Sequence, residues 1–535
     1  MSLAETTLIN AGLQAGLFDN ELLNRLRPQA RLARQSLLEA LARELGLPHT
    51  AFVMALARVR DLPFCRPGTW LADEDALARL PAPLLRRHPM VPMRPLDGAG
   101  LLLAVGDPDD VIGIDAARRV LGPLPLALAD ADALAVLVRR LRGGEVGRGG
   151  GDLDPVALFE QVIKEARLLR ASDIHVESLP EGVRIRLRVD GRMQEFGGVL
   201  PRDLGDGLIS RLKVLGGMDI AESRAPQDGG IAYPLGDRET VEMRVASAPT
   251  KFGERLTLRI MKSDPGRLSL DALGMPAEMA GRLREALAHP HGIVLVTGPT
   301  GSGKSTTLYA ALRELDANSL NILTAEDPVE QVIPGISQLP VSGKVGFADA
   351  LRSFLRHDPD VILVGEIRDL DTADVALKAA TTGHMVLATL HTNSAAGAVT
   401  RLADIGCEPF LLGATLRAVI AQRLVRQLCR HCATLRPATP EELHWLGRTD
   451  GEVGDLAVPV GCPHCLGSGY RGRVGLFEAL WVDGDLAEAI ADGGRERDIA
   501  RRATHLWRLA DDARAKVLSH ITSLAEVRPY LAGAD

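Results

Sequence analysis

The chain has 535 residues, enough for about three or four domains, of which 46% are hydrophobic and 24% charged. That balance excludes an intrinsically disordered chain, and 62 basic against 69 acidic residues, a net charge of −7, argue against a chain built to coat nucleic acid or an anionic membrane. No apolar run reaches the roughly 18 residues of a membrane span, and the opening MSLAETTLINAGL lacks a secretory signal's basic segment and long apolar stretch. A cytoplasmic protein is therefore expected, with its six cysteines as thiols or metal ligands.

In chain order, Leu37, Leu38, Leu41 and Leu45 fall on one face of a helical stretch whose other face carries Arg and Glu. An apolar run at Leu101–Val105, a GDPDD turn and a second helical stretch follow. GGEVGRGGG at Gly143 is a glycine-rich linker. Beyond it a helix is expected from Leu153 to Arg170. VRIRLRV at Val183 alternates apolar and Arg as a strand with one wet face, and Asp190-Gly191 is a hairpin turn. VEMRVAS and ERLTLRIM are two more alternating strands, completing a small α+β domain that ends near a second linker candidate at Lys262. From His291 the short continuous apolar runs IVLVTG and VILVG, separated by helical stretches, predict strands buried on both faces of a largely parallel sheet.

Gly298-Pro299-Thr300-Gly301-Ser302-Gly303-Lys304-Ser305 fits G-x4-G-K-[ST], follows an apolar strand and opens a helical segment that continues with Thr306. Glycines let backbone N–H groups turn inward, and the helix N-terminus adds its positive dipole end, so the loop is an anion nest. Lys304 would reach the outer phosphates of ATP and the Ser305 hydroxyl would ligate Mg2+. Hydrolysis needs a second anionic element, and the buried strand Val361–Val364 delivers Glu366 at its tip as the candidate for polarising water. Glu326, Asp327 and Glu330 add three carboxylates that serve Mg2+ or water, or form a surface cluster. His384 and His391 bracket one short strand and suggest a sensor of phosphate state.

Cys429-x-x-Cys432 and Cys462-x-x-Cys465 are two knuckles with 29 residues between them. Four thiolates of this kind suit tetrahedral zinc in a structural site, since four protein ligands leave no open position. Neither pair reads as a thioredoxin-like dithiol following a strand and opening a helix. Cys65 and Cys407 have no partner motif and are expected in the core.

Together these residues resemble the secretion ATPases of bacterial type II secretion and type IV pilus assembly. The signatures are GPTGSGKST at Gly298, ILTAEDPVE at Ile322, LRHDPDVILVGEIRD at Leu355, TGHMVLATLHTN at Thr382, AQRLVRQLC at Ala421 and GYRGRVGLFE at Gly469. Upstream, ASDIHVE at Ala171 and the segment from Arg211 extend the likeness, which covers roughly residues 155–530. The resemblance implies a multidomain α/β fold: an N-terminal platform-docking module (1–142, helical or α+β), a linker (143–154), a small α+β domain (155–264), a P-loop, RecA-like ATPase core (265–428), a four-cysteine zinc insertion (429–468) and a C-terminal helical region (469–535). It implies a homohexamer that binds ATP, Mg2+ and zinc, touches no nucleic acid, and reaches the inner membrane only through platform proteins: the cytoplasmic domain of a bitopic subunit and a polytopic subunit. It maps the phosphate-reaching arginines onto Arg244 and Arg259, although the alternation reads them equally well as a strand's wet face. Gly230 stands where the family usually has Arg. Some relatives bind cyclic di-GMP through Arg-Leu-Gly helix motifs, whereas Arg34-Gln35-Ser36 has no Leu-Gly pair. The activity implied is ATP hydrolysis driving type II export, with pilus extension as the alternative; a nucleic-acid motor and a non-catalytic nucleotide-gated scaffold are the rival classes.

Overall fold

The computed structural model describes residues 3–33, 35–65, 70–95, 100–142, 154–235, 239–261, 269–341, 343–448 and 454–531. Apart from Asp154, the glycine-rich linker lies outside them, as do the candidate linker at Lys262 and Arg34. The chain divides into two compact units, 1–261 with the short segment 460–469, and 262–459 with 470–535.

The first unit opens with the helices Glu5–Gln14, Asn20–Leu32, Leu37–Leu45 and His49–Val59. Local chemistry sets their ends: Ser36 accepts the Glu39 N–H to start Leu37–Leu45, and Gly46, at φ 57°, stops it in the left-handed conformation. A four-stranded sheet follows, β1 (Trp70–Ala72), β2 (Met90–Pro95), β3 (Leu102–Val105) and β4 (Leu126–Leu128), in that order. Its core joins Leu8, Leu41, Phe52, Leu103 and Leu128.

Helix Pro155–Leu168 then leads into β5 (Asp173–Leu179), β6 (Gly182–Val189) and β7 (Arg192–Leu200), helix Arg202–Leu215, and β8 (Gln227–Leu235), β9 (Glu239–Thr250) and β10 (Gly253–Ile260). These strands form one antiparallel sheet, ordered β7-β6-β5-β10-β9-β8. Ile174, Val176, Ile185, Leu187, Leu256 and Leu258 pack inward against Phe159, Ile163 and Leu212 of the helices. The opposite face is ionic. Glu177 accepts from Arg184 (2.9 Å) and Arg186 (2.6 Å), and Asp173 from Arg259 (3.0 Å). The period of two segregates the faces, and the buried carboxylates of β5 are tolerated because guanidinium donors satisfy them.

The second unit is built on β11 (Gly292–Thr297), β12 (Ile322–Glu326), β13 (Ser337–Pro340), β14 (Val361–Val364), β15 (Met385–Leu390) and β16 (Leu416–Leu428); the antiparallel pair β17 (Thr434–Pro437) and β18 (Asp455–Val458), with helix Pro440–Trp445 between them, is followed by β19 (Tyr470–Trp481). The main sheet runs β13-β12-β14-β15-β11-β16-β19, parallel except for the antiparallel edge strand β19. Every residue of β11, β14 and β15 is buried, and alternate residues feed different cores. Ile293, Leu295, Ile362 and Val386 join one cluster, and Val294, Val296, Leu363 and Leu387 the other. Two-sided burial is why these strands read as unbroken apolar runs. The region 469–535, expected to be helical, instead opens with the 12-residue strand β19, because Val474, Leu476, Phe477 and Leu480 are claimed by the sheet and its flanking cores.

Candidate nucleotide site and cysteine cluster

At the carboxyl end of β11 the backbone turns at Gly298 (φ 148°), Gly301 (φ 78°) and Gly303 (φ 92°). A Cβ on Gly298 would lie 2.5 Å from the Gln422 carbonyl oxygen and 2.6 Å from Ser302 Oγ, so this loop path demands glycine. Helix Lys304–Arg313 begins at Gly303 with no side chain capping its first N–H groups, which leaves them and the positive dipole end to an anion. Ser302 Oγ is buried at the loop with no protein partner. Lys304 Nζ donates to the carbonyls of Gly298 (2.9 Å) and Pro299 (3.2 Å) and lies 3.5 Å from His391 Nδ1. Burial, and secondarily the Arg423 guanidinium, pull its pKa below the ordinary lysine value against the opposing pull of Glu366. Partial desolvation readies such an ammonium for a polyanion, because little hydration remains to be lost.

Glu366 stands just past the tip of β14. Its flanking backbone is pinned on both sides: Gly365 N–H donates to the Ala325 carbonyl (2.8 Å), and Ile367 N–H to that of Thr389 (3.0 Å). The carboxylate pairs with Arg368 and lies 3.4 Å from His391 Nε2. One imidazole thus faces the Lys304 ammonium through Nδ1 and the Glu366 carboxylate through Nε2. With a proton on Nε2 the ring can donate to Glu366 while Nδ1 accepts from Lys304. A carboxylate so fixed beside a phosphate nest can orient and polarise water.

The other expected residues have different surroundings. His384 precedes β15 while His391 follows it, so the six residues of the strand, about 20 Å when extended, separate the two rings. The structure therefore does not bring His384 to the loop; its Nδ1 lies 2.9 Å from the Ala379 carbonyl oxygen. Glu326 is buried in a hydrogen-bonded network beside helix Lys304–Arg313, accepting from Tyr309, from Thr324 Oγ1 (2.6 Å) and from Gln338 Nε2 (2.9 Å). Glu330 is exposed, and its N–H donates to the Tyr309 hydroxyl (3.1 Å). Ser305 and Thr306 sit half-buried in the first turn of the helix. Arg244 and Arg259 are exposed cross-strand partners on β9 and β10 of the first unit.

Three contributors were not singled out from the sequence. The Gln422 side chain accepts from Thr307 Oγ1 (2.7 Å) beneath the loop, Arg423 follows it at the end of the parallel pairing, and Thr297 pairs its hydroxyl with that of Thr392 (2.7 Å). Parallel pairing of β16 with β11, with Ala421 beside Thr297, places Gln422 and Arg423 at the loop. The polar dipeptide ending the apolar run AVIA was the signal available.

The four cysteine sulfurs of Cys429, Cys432, Cys462 and Cys465 lie within 4.8 Å of one another. Pairing of Leu428 with Tyr470 on β16 and β19 brings the two chain segments together. The Cys462 and Cys465 sulfurs are 3.8 Å apart, and a tetrahedral ion with Zn–S bonds of about 2.3 Å needs an edge of about 3.8 Å. The N–H groups of Cys462 and Gly469 both donate to Cys465 Sγ at 3.2 Å, which favours a thiolate. Cys429 directly follows β16 but opens a turn, and Cys462 starts only a single 3-10 turn, so neither pair follows a strand and opens an α-helix, as expected, and the donor set fits zinc. Cys65 and Cys407 are core residues, and burial pushes their thiols up to about 12 and about 11.

The family model of the type II/IV secretion system proteins matches residues 152–529, and that of the MshEN domain matches residues 60–148. The chain is 48% identical over 380 residues to the type II secretion system protein E of Klebsiella pneumoniae, covering 70% of this chain and 76% of the relative. It is 39% identical over 509 residues to the type IV pilus assembly ATPase PilB of Thermus thermophilus, covering 89% of this chain and 57% of that longer protein. Among solved structures, the ATPase DotB of Legionella pneumophila superposes with a TM-score of 0.54 at 24% identity, over 72% of this chain and 98% of DotB, a likeness of fold.

Proposed function

The chain belongs to the type II/IV secretion system protein family, and from that premise we propose that it is a hexameric ATPase whose turnover drives protein export through a type II secretion system. It is an ATPase, and the observation that carries the site assignment is His391 lying between the Lys304 ammonium and the Glu366 carboxylate at the mouth of a glycine loop. In this reading the loop N–H groups and Lys304 bind the β- and γ-phosphates. Mg2+, held by the Ser305 hydroxyl and the nucleotide, supplies charge neutralisation when bound. Glu366 orients a water whose oxygen bonds to the γ-phosphorus as the bond to the bridging oxygen breaks; the electron pair leaves with ADP, and the water's protons pass to Glu366 and phosphate. The His391 imidazole, set between Lys304 and Glu366, would sense the change in phosphate charge that Lys304 holds. Arg244 and Arg259, exposed on one strand pair, would add cationic stabilisation to the terminal phosphate, as the resemblance implies.

The four cysteines would hold a structural zinc ion. Among the described residues no helix is long and apolar enough to cross a membrane. A cytoplasmic position at the inner membrane would then come through platform proteins, with residues 1–142 as the docking module. Pilus assembly is the second reading, favoured by the match to PilB extending over 89% of this chain.

The site is tested by ATP turnover of purified chain carrying Lys304→Ala or Glu366→Gln; each is expected to fall at least about 100-fold, and unchanged turnover in both would reject the assignment. Gene deletion decides between the readings. Secreted enzymes retained in the periplasm with pili intact support export, and lost pili with normal secretion support pilus assembly.

A further inference from the structure

The segment 391–395 is gripped from two sides. Arg423 donates through its guanidinium to the Asn393 carbonyl (2.8 Å) and side-chain oxygen (3.2 Å), and also to the Gln422 carbonyl (3.0 Å), the oxygen that crowds Gly298. Glu478 accepts the Ala395 N–H at 2.6 Å and a further N–H from Leu509. Just before these points Thr392 N–H donates to Thr297 Oγ1 at 2.9 Å. Ala421 faces Glu478 and Arg423 faces Leu476 across β16 and β19, so Arg423 and Glu478 share one face of the strand pair on neighbouring diagonal positions. Both are half-buried: burial lowers the pKa of Arg423 and raises that of Glu478, and each charge opposes the other's shift. Lys304, Glu496 and Tyr530 are the other titratable groups facing the pair. Ser394 Oγ reaches Glu496, so the segment's remaining polar side chain is also held from the C-terminal region.

We propose that Arg423 and Glu478 are a positioning pair, through which strand β19 sets the loop after His391 and so fixes the imidazole between Lys304 and Glu366. The inference rests on the nucleotide-site reading above. Neither residue reaches the reacting atoms. Arg423 fixes the loop at residue 393, Glu478 fixes it at residue 395, and the strand pair joins the two anchors rigidly. Loosening either anchor frees the imidazole while leaving the phosphate loop's own glycines, Lys304 and helix dipole in place, so chemistry should suffer more than binding.

The test compares full-length Arg423→Ala, Glu478→Ala, Glu478→Gln and the double variant Arg423→Ala/Glu478→Ala, with Lys304→Ala and His391→Ala alongside. Readouts are steady-state ATP turnover, equilibrium binding of a fluorescent ADP and thermal unfolding. The expected result is kcat lowered about 10-fold or more in Arg423→Ala and Glu478→Ala, with KM and ADP affinity within about 3-fold of the parent. Glu478→Gln keeps an oxygen for the Ala395 N–H and should recover part of the loss. The double variant should be no slower than the worse single one within about 2-fold, because the two anchors act as one unit. Parental kcat in both alanine variants, or kcat losses matched by equal losses of ADP affinity and of folded protein, would overturn the pair. If Lys304→Ala and His391→Ala also retain turnover, the nucleotide-site reading falls as well; if only those two lose it, the failure belongs to the positioning pair alone.

Discussion

Single atoms decide what the phosphate loop tolerates. A methyl group at position 298 would collide with the Gln422 carbonyl and force an L-residue to φ 148°. Gly298→Ala is therefore expected to weaken nucleotide binding at least about 10-fold while far-UV circular dichroism stays parental, since the collision is confined to the loop. A different residue-level device sits in the first unit, where Glu165 is pushed up to about 7, first by burial and then by Asp130, with His49 opposing. His49 itself is raised by its contact with Asp130, while Asp130 is lowered despite burial by its bonds to His49 and to backbone N–H groups. The signs separate. Native Glu165 and His49 both hold protons more tightly than the unfolded chain, so their contribution to stability is present at acid pH and is lost as pH rises through their folded values. Asp130 contributes above its unfolded value and loses that contribution as pH falls. Thermal unfolding of the whole chain should therefore occur at lower temperature at about pH 8 than at about pH 6, and Glu165→Gln should shrink the difference. A difference unchanged in that variant would show that Glu165 does not carry it.

At the scale of elements, the pairing of β16 with β19 does two jobs. Its inner part places Gln422 and Arg423 beside the phosphate loop, and its outer end, at Leu428 and Tyr470, closes the cysteine cluster. The buried pair Asp512 and Lys516 braces this strand, with Asp512 accepting the Phe477 N–H at 2.8 Å. Zinc content is expected to be one ion per chain by elemental analysis. Cys429→Ser or Cys465→Ser should abolish it and lower the unfolding temperature, because the 29-residue connection would lose its closure. Parental stability in both variants would leave the cluster without a structural role. The histidine box shows what an element adds to a motif. Both histidines belong to one short signature, yet a six-residue strand carries them to its opposite ends, and only His391 meets Lys304 and Glu366.

For the whole molecule, the charge balance carries a prediction. With 62 basic and 69 acidic residues and 3% aromatics, the chain has no composition for stacking and neutralising a nucleic-acid strand. Single-stranded DNA should leave ATP turnover within about 2-fold of its basal value, whereas detergent-solubilised platform subunits should raise it. The reverse pattern would move the protein into the class of nucleic-acid motors.

Several features were decided along the chain itself. The glycine loop, Lys304, the apolar strands around it, Glu366 at a strand tip and the paired cysteine knuckles all depend on short-range rules: which residues allow φ above zero, which periodicity buries both faces, which spacing lets two thiols approach one ion. The alternating Arg strands of the first unit were legible for the same reason. What only the tertiary structure decided is which side chains meet across distance. Glu326 bonded to Tyr309, β19 as a sheet edge rather than a helix, and Arg423 with Glu478 around the 391–395 loop all follow from how the strands and helices pack. Those arise from packing of residues 17 to 83 positions apart, and no local pattern encodes that pairing.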